Sequence, residues 1–102
     1  MNFENKHAVI TGGSNGIGRC IAETFLRDGA EVTVIDIDNR ENEGVQFFHG
    51  DIEDKNVLEA FVNSITHPVD YLINNACIGR GGLLTPCTVE FILLVCAETL
   101  SR

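Results

Sequence analysis

Two periodicities alternate along the chain, one typical of buried strands and one typical of amphipathic helices. Four short apolar runs, rich in β-branched and aromatic residues, predict strands at positions 7–11, 31–36, 45–49 and 69–74. Between the first two strands, and again between the last two, apolar residues recur every three or four positions, which predicts a helix in each interval. The strands are apolar at nearly every position, as in a parallel sheet that helices cover on both faces.

The first predicted helix begins at Gly16 and ends at Gly29, because glycine readily takes the left-handed conformation that closes a helix. One face of this helix carries the kind of apolar stripe with which helices pack against a core. The stripe consists of Ile17, Cys20, Ile21, Thr24 and Phe25.

The second predicted helix begins after Asp54, whose side chain suits a helix cap, and Pro68 ends it. Its buried stripe consists of Val57, Leu58, Phe61, Val62 and Ile65. Residues 37–44 are polar and are predicted to form a loop. Residues 88–102 are compatible with a helix, but the apolar run at 91–97 has no periodicity that would test this.

This order of elements predicts an α/β fold of the Rossmann type, a parallel sheet between two helical layers (α/β/α). Right-handed crossovers would give the strand order 3-2-1-4. The order then reverses between strands 1 and 4, and a crevice opens at their carboxyl ends. The glycine-rich loop at 11–18 and Asn74-Asn75 follow those two strands. We expect residues 1–102 to form one domain.

Charge and composition narrow the classes of function. The 102 residues carry 15 acidic and 7 basic side chains, a net charge of −8, which argues against nucleic acid or an anionic membrane as partner. A phosphate-bearing cofactor stays compatible if backbone N–H groups hold its phosphates. Because there is no signal-like or membrane-spanning run and the four cysteines lack metal-ligand spacing, we expect a cytoplasmic protein with reduced thiols and no metal.

The loop Thr11-Gly-Gly-Ser-Asn-Gly-Ile-Gly18 is the strongest candidate for binding phosphate. Its glycines allow a tight turn and a close approach to a pyrophosphate, and the helix that follows offers free N–H groups. The candidate cofactor contacts are Gly12, Ser14, Asn15, Gly16, Ile17 and Gly18. An isolated glycine-rich turn is more often structural, but its position between a strand and a helix favours phosphate binding.

Asp36 ends the second strand, 18 residues after Gly18. A carboxylate at this distance can accept hydrogen bonds from an adenosine ribose, and it would repel a 2′-phosphate. We therefore expect NAD as the cofactor. NADP is the less favoured alternative, and it stays open because Arg40 is near enough in sequence to bind the extra phosphate. The alternative is that Asp36 is only a solvated carboxylate at a strand end.

These two features resemble the short-chain dehydrogenase/reductase family. Thr11–Gly18 is similar to that family's Thr-Gly-x-x-x-Gly-x-Gly motif, and Asp36 to its NAD-selecting acidic residue. The resemblance implies an NAD(P)-binding oxidoreductase that transfers hydride between a nicotinamide and an alcohol or ketone.

Two further motifs extend the resemblance over nearly the whole chain. Asp51-Ile52 is similar to the pair whose carboxylate and backbone meet the adenine ring in that family. Asn74-Asn75-Ala76 resembles the start of the Asn-Asn-Ala-Gly motif, whose first Asn lies beside the cofactor ribose. The resemblance thus adds Asp51, Ile52, Asn74 and Ala76 to the candidate cofactor contacts.

The chemistry of the family is not matched in these residues. Cys77 replaces the last glycine of the fourth motif, and Tyr71 is followed four positions later by Asn75 instead of the lysine of the Tyr-x-x-x-Lys pair. By resemblance, the Ser-Tyr-Lys set and the later strands would lie beyond Arg102. We assign no catalytic residue, interpret Tyr71 as a packed aromatic, and expect the chain alone to be inactive.

Three interpretations stay open: part of an oxidoreductase, a dinucleotide-binding module without catalysis, and a truncated gene product without function. An apolar fourth strand at the edge of the sheet would invite pairing with another chain. We therefore expect self-association through strand 4 or the C-terminal helix.

Overall fold

The computed structural model describes residues 2–12, 16–38 and 43–75. They form four strands: β1 (His7–Thr11), β2 (Glu31–Asp36), β3 (Gln46–His49) and β4 (Tyr71–Asn74). Two helices accompany them: α1 (Gly16–Arg27) and α2 (Lys55–Ser64). The helix predicted within 88–102 lies outside the described residues.

The four strands form one parallel sheet in the order β3-β2-β1-β4, which confirms the predicted topology. In its register Thr11 pairs with Ile35 of β2 and with Asn74 of β4. The carboxyl ends of β1, β2 and β4 are therefore level. The point where the strand order reverses, between β1 and β4, lies directly beside the glycine-rich loop.

Two apolar cores cover the two faces of the sheet, as predicted for an α/β/α fold. Successive residues of β1 point to opposite faces, so Val9 belongs to one core and Ile10 to the other. The α2 side buries Val9, Ile35, Ile52, Leu58, Phe61, Val62 and Ile65. The α1 side buries Ile10, Ala22, Ala30, Val32 and Val34.

Helix α2 begins as the sequence predicts. The Asp54 carboxylate accepts hydrogen bonds from the backbone N–H groups of Asn56 at 2.9 Å and Val57 at 3.4 Å, which satisfies two donors of the first turn. The helix ends at Ser64, and Ile65 follows in an extended conformation while its side chain stays buried. The predicted stripe is confirmed, with Val57 at its half-buried edge.

The prediction that the apolar stripe of α1 forms its buried face is wrong. Ile17 is 74% exposed, and Cys20 and Thr24 are exposed as well. The residues of α1 that are buried are Gly18 and Ala22. Because these two residues are small, α1 lies close to the sheet. The face of the helix that contacts the sheet is therefore centred on small residues, and the apolar stripe that the periodicity predicts lies to one side of it. Ile21 and Phe25 from the predicted stripe pack at the margin of the core.

Polar side chains fasten the amino ends of the strands. Strand β4 begins two residues later than predicted, at Tyr71. Just before it, the Asp70 N–H donates to the His7 carbonyl at 2.8 Å, and the Asp70 carboxylate accepts the His7 N–H at 2.9 Å. Buried His7 also places Nε2 2.7 Å from Thr33 Oγ1 on β2. Nearby, His67 Nδ1 lies 2.8 Å from the Glu31 carboxylate. This network lies at the opposite end of the sheet from the glycine-rich loop.

Candidate functional site

The site begins where β1 and β4 end side by side. Thr11 is fully buried, and its hydroxyl donates to Asn74 Oδ1 at 3.4 Å. This contact orients the Asn74 side chain at the end of β4. Two of the predicted motifs, separated by more than sixty positions in sequence, therefore meet at one edge of the sheet.

Gly12 turns the chain out of β1. Its N–H still donates to Ile35 O of β2 at 2.8 Å, while its φ of 69° is in the left-handed region that favours glycine. Its carbonyl oxygen accepts a hydrogen bond from Asn75 Nδ2 at 3.0 Å. Gly12 is thus held on its N–H side by β2 and on its carbonyl side by the residue that follows β4.

Helix α1 opens at Gly16, whose φ is 58°. A Cβ built on Gly16 would meet no atom within 4 Å among residues 2–12, 16–38 and 43–75, so this part of the chain leaves space beside the turn. The first backbone N–H groups of a helix have no partner within the helix and form its positive end. Exposed Ile17 follows, and its backbone N–H belongs to this first turn.

Gly18 meets a different requirement. A Cβ on Gly18 would overlap the Gly12 carbonyl oxygen and would lie 2.7 Å from Asn75 Nδ2. Gly18 is buried, and only a residue without a side chain fits there. Its role is close packing between α1, the end of β1 and the end of β4.

A second part of the site lies at the carboxyl ends of β2 and β3. The Asp36 carboxylate accepts the Asp38 N–H at 3.0 Å, and the Asp36 carbonyl accepts the Gly50 N–H at 2.9 Å. A pocket of about 100 Å³ lies here. It is lined by Ile35, Asp36, Ile37, Gly50, Asp51, Ile52 and Glu53. The structure therefore brings Asp36 together with Asp51 and Ile52, as the motifs predict.

Asp51 and Ile52 present different groups to this pocket. Asp51 is exposed, and its carboxylate accepts the Glu53 N–H at 2.9 Å in the turn that leads to α2. Ile52 is 6% exposed, and its side chain belongs to the α2 core. A ligand in the pocket would thus meet the Asp51 carboxylate and mainly the backbone of Ile52.

Some predicted residues lie outside the described part of the chain: Ser14, Asn15, Arg40, Ala76 and Cys77. Asn75 is the described residue that sequence reasoning missed as an individual contributor, although it stands inside the fourth motif. The motif that contains Asn75 is visible in the sequence. Its hydrogen-bond partner Gly12 lies 63 positions away, and only the fold brings the two residues together.

Tyr71 lies far from these groups, at the amino end of β4. Its ring packs against Phe3 at 5.5 Å and Phe25 at 5.3 Å between ring centroids. These ring contacts agree with its interpretation as a packed aromatic, although the residue is 37% exposed and not buried. Among residues 2–12, 16–38 and 43–75, no group of three or more His, Cys, Asp or Glu side chains could hold a metal ion. Within the same ranges no helix is long and apolar enough to cross a membrane.

Comparison with known proteins gives a consistent picture. The family model described as short chain dehydrogenase matches residues 6–92. The uncharacterized oxidoreductase YxbG of Bacillus subtilis is 39% identical over 94 residues, which are 78% of this chain and 34% of YxbG. The 3-oxoacyl-[acyl-carrier-protein] reductase FabG of Escherichia coli is 36% identical over 95 residues, 82% of this chain and 39% of FabG. The chain thus spans between a third and two fifths of these relatives.

Solved structures show the same fold. Ligand-free aldohexose dehydrogenase of Thermoplasma acidophilum matches 98% of this chain and 46% of its own, with a TM-score of 0.80 and 20% identity. The NADP complex of RhlG from Pseudomonas aeruginosa matches 72% of this chain and 35% of its own, with a TM-score of 0.61 and 24% identity.

Proposed function

The chain belongs to the short-chain dehydrogenase family, and we propose that residues 1–102 form the domain that binds the adenosine and pyrophosphate of a nicotinamide dinucleotide. The observation that carries the proposal is the meeting of the glycine-rich turn with the ends of β1 and β4, beside the pocket at Asp36. Such a crevice is where open α/β sheets bind their ligands.

The described residues fit a dinucleotide in two places. The open space at Gly16 and the positive end of α1 suit a pyrophosphate, which needs backbone N–H groups in a chain with net charge −8. The small pocket lined by Asp36 and Asp51 would take part of an adenosine, with the Asp36 carboxylate accepting from the ribose hydroxyls. Asn74 would lie beside the second ribose. Ser14, Asn15 and Ala76 complete the proposed set of contacts.

We propose NAD as the preferred cofactor. The carboxylate of Asp36, which lines the pocket and accepts the Asp38 N–H, would repel the 2′-phosphate of NADP. RhlG was solved with NADP, so NADP is the alternative that the binding experiment must test.

The proposed reaction of the complete fold is hydride transfer between an alcohol or ketone and the nicotinamide, which supplies or accepts the hydride when bound. This chain's part is to hold and orient the dinucleotide. None of its 102 residues forms a Tyr-x-x-x-Lys pair, and the one tyrosine packs in an aromatic cluster away from the crevice. That observation favours binding without catalysis for residues 1–102 alone.

The test is a calorimetric titration of NAD and NADP into the wild-type chain and into Asp36→Asn. We expect Asp36→Asn to weaken NAD about tenfold, because it loses charge-assisted hydrogen bonds, and to narrow or reverse the preference over NADP. Glu59→Gln removes the same charge from an exposed position on α2 and should change neither affinity. Equal binding of NAD by Asp36→Asn and wild type would refute the assignment.

We also propose that the protein is cytoplasmic and self-associates through β4. Within the described residues β4 is the last strand of the sheet, beside β1, and an apolar strand in that position can pair with another chain. Sedimentation velocity should show the apparent mass rising with protein concentration. A constant monomer mass over the accessible range would contradict self-association.

A further inference from the structure

His49, the last residue of β3, joins the ends of two strands through its side chain. Its Nε2 lies 3.0 Å from the carbonyl oxygen of Ile37, the first residue after β2. Because a carbonyl oxygen only accepts, Nε2 carries a proton and donates this hydrogen bond. The ring also lies nearly parallel to that of Phe47, with 6.3 Å between the ring centroids and 19° between the planes. The imidazole thus has a ring contact within β3 and a hydrogen bond to the chain that leaves β2.

Ile37 borders the pocket at the carboxyl ends of β2 and β3. Its side chain is 66% exposed, so an apolar surface beside the pocket is open to a ligand. Asp36 lines the same pocket and is the register partner of His49 on the neighbouring strand. The described residues that line the pocket do not include His49, so its effect on a ligand would pass through Ile37.

We propose that His49 is a positioning residue that sets the affinity for the adenine end of the dinucleotide by holding Ile37 against the base. The faces of a purine are flat and largely apolar, and the exposed side chain of Ile37 offers a surface of the same kind. The Asp36 carboxylate beside it would accept from the ribose hydroxyls. The proposal rests on the proposed function, since it concerns the same cofactor site.

The physical reason is that His49 orders one wall of the pocket before the ligand binds. The Gly50 N–H donates to Asp36 O at 2.9 Å, a backbone bond that continues the pairing of β3 with β2. The His49 side chain reaches one residue further, to Ile37, where the chain bends away from the sheet. The bond from the Asp38 N–H to the Asp36 carboxylate shapes this bend but does not join it to β3. Without the His49 bond the ligand would have to order Ile37, which lowers affinity.

The test separates the hydrogen bond of His49 from its ring. His49→Phe keeps a ring beside Phe47 and loses the donor, whereas His49→Gln loses the ring and keeps an N–H of similar reach. Calorimetric titration of His49→Phe should show the affinities for NAD and for AMP about fivefold below wild type. His49→Gln should bind both within about twofold of wild type. Inorganic pyrophosphate, which would bind at the glycine-rich turn, should bind all three proteins equally.

His67→Phe is the matched control, because it makes the same substitution at the opposite end of the sheet and should leave NAD affinity unchanged. Wild-type affinity of His49→Phe for NAD and AMP would overturn the proposal and leave the proposed function intact. Equal weakness of His49→Phe and His49→Gln, or an equal loss of pyrophosphate binding, would also overturn it. Wild type that binds no NAD would refute the proposed function and the role of His49 with it.

A second measurement needs no ligand. Hydrogen exchange of the Gly50 amide, which donates to Asp36 O, should be faster in His49→Phe than in wild type or His49→Gln. His49 is exposed, so neither substitution should prevent folding. Unchanged exchange in His49→Phe would mean that His49 does not hold the two strand ends together, and the proposal would then fail even where NAD binds.

Discussion

At the scale of single residues, the glycines of one short motif answer to different physical demands. Gly12 and Gly16 have left-handed φ values of 69° and 58°, whereas Gly18 lies in a regular helical turn and is required by close packing. The sequence predicts a tight turn and a close approach to a pyrophosphate for the three glycines together. The sequence does not show which glycine is required for its backbone conformation and which for close packing. The atoms that exclude a side chain at Gly18 come from the residues that follow β1 and β4, which are distant in sequence.

This difference predicts unequal costs for alanine. Gly18→Ala inserts a methyl group against a backbone oxygen and should lower the free energy of unfolding by about 3 kcal/mol. Gly16→Ala meets open space and carries only the left-handed penalty, about 1 kcal/mol. Urea denaturation of both variants measures the two values. A smaller loss for Gly18→Ala than for Gly16→Ala would be incompatible with the packing described.

At the scale of elements, the sequence predicts features that depend on residues close together in the chain. It does not predict features that depend on how closely two elements pack. The Asp54 cap and the stripe of α2 follow from local spacing, and both are confirmed. The buried face of α1 does not, because hydrophobic periodicity weights Ile17 heavily and small residues hardly at all. What decides that face is how near α1 can approach the sheet, and Ala22 is fully buried at that contact.

The corrected face of α1 makes a paired prediction. Ala22→Leu should overpack the contact with the sheet and cost about 2 kcal/mol of unfolding free energy. Ile17→Gln, on the stripe that the sequence favoured, should change the free energy by less than about 0.5 kcal/mol because the side chain is 74% exposed. Thermal or urea unfolding measures both losses. A larger loss for Ile17→Gln than for Ala22→Leu would indicate that the predicted apolar stripe is the buried face after all.

At the scale of the whole molecule, the two ends of the sheet have separate tasks. The amino ends carry a polar network built on His7, Thr33 and the pair of Glu31 with His67. The carboxyl ends carry the glycine-rich turn, the pocket at Asp36 and the asparagines after β4. The handedness rule predicted which strands would be neighbours and hence where the crevice lies. The bond between Asn75 and Gly12 could not be predicted, since it depends on the register of β1 with β4.

The most direct test of the account is to map NAD onto the chain by the backbone amide resonances of a labelled sample. Addition of NAD should shift the amides of Gly12, Gly16, Ile37 and Asp51 and leave those around His7 and His67 unchanged. These two groups of residues lie at opposite ends of the same sheet, so each serves as a control for the other. Shifts confined to the amino end, or no shifts at millimolar NAD, would contradict a dinucleotide site at the carboxyl ends of β1, β2 and β4.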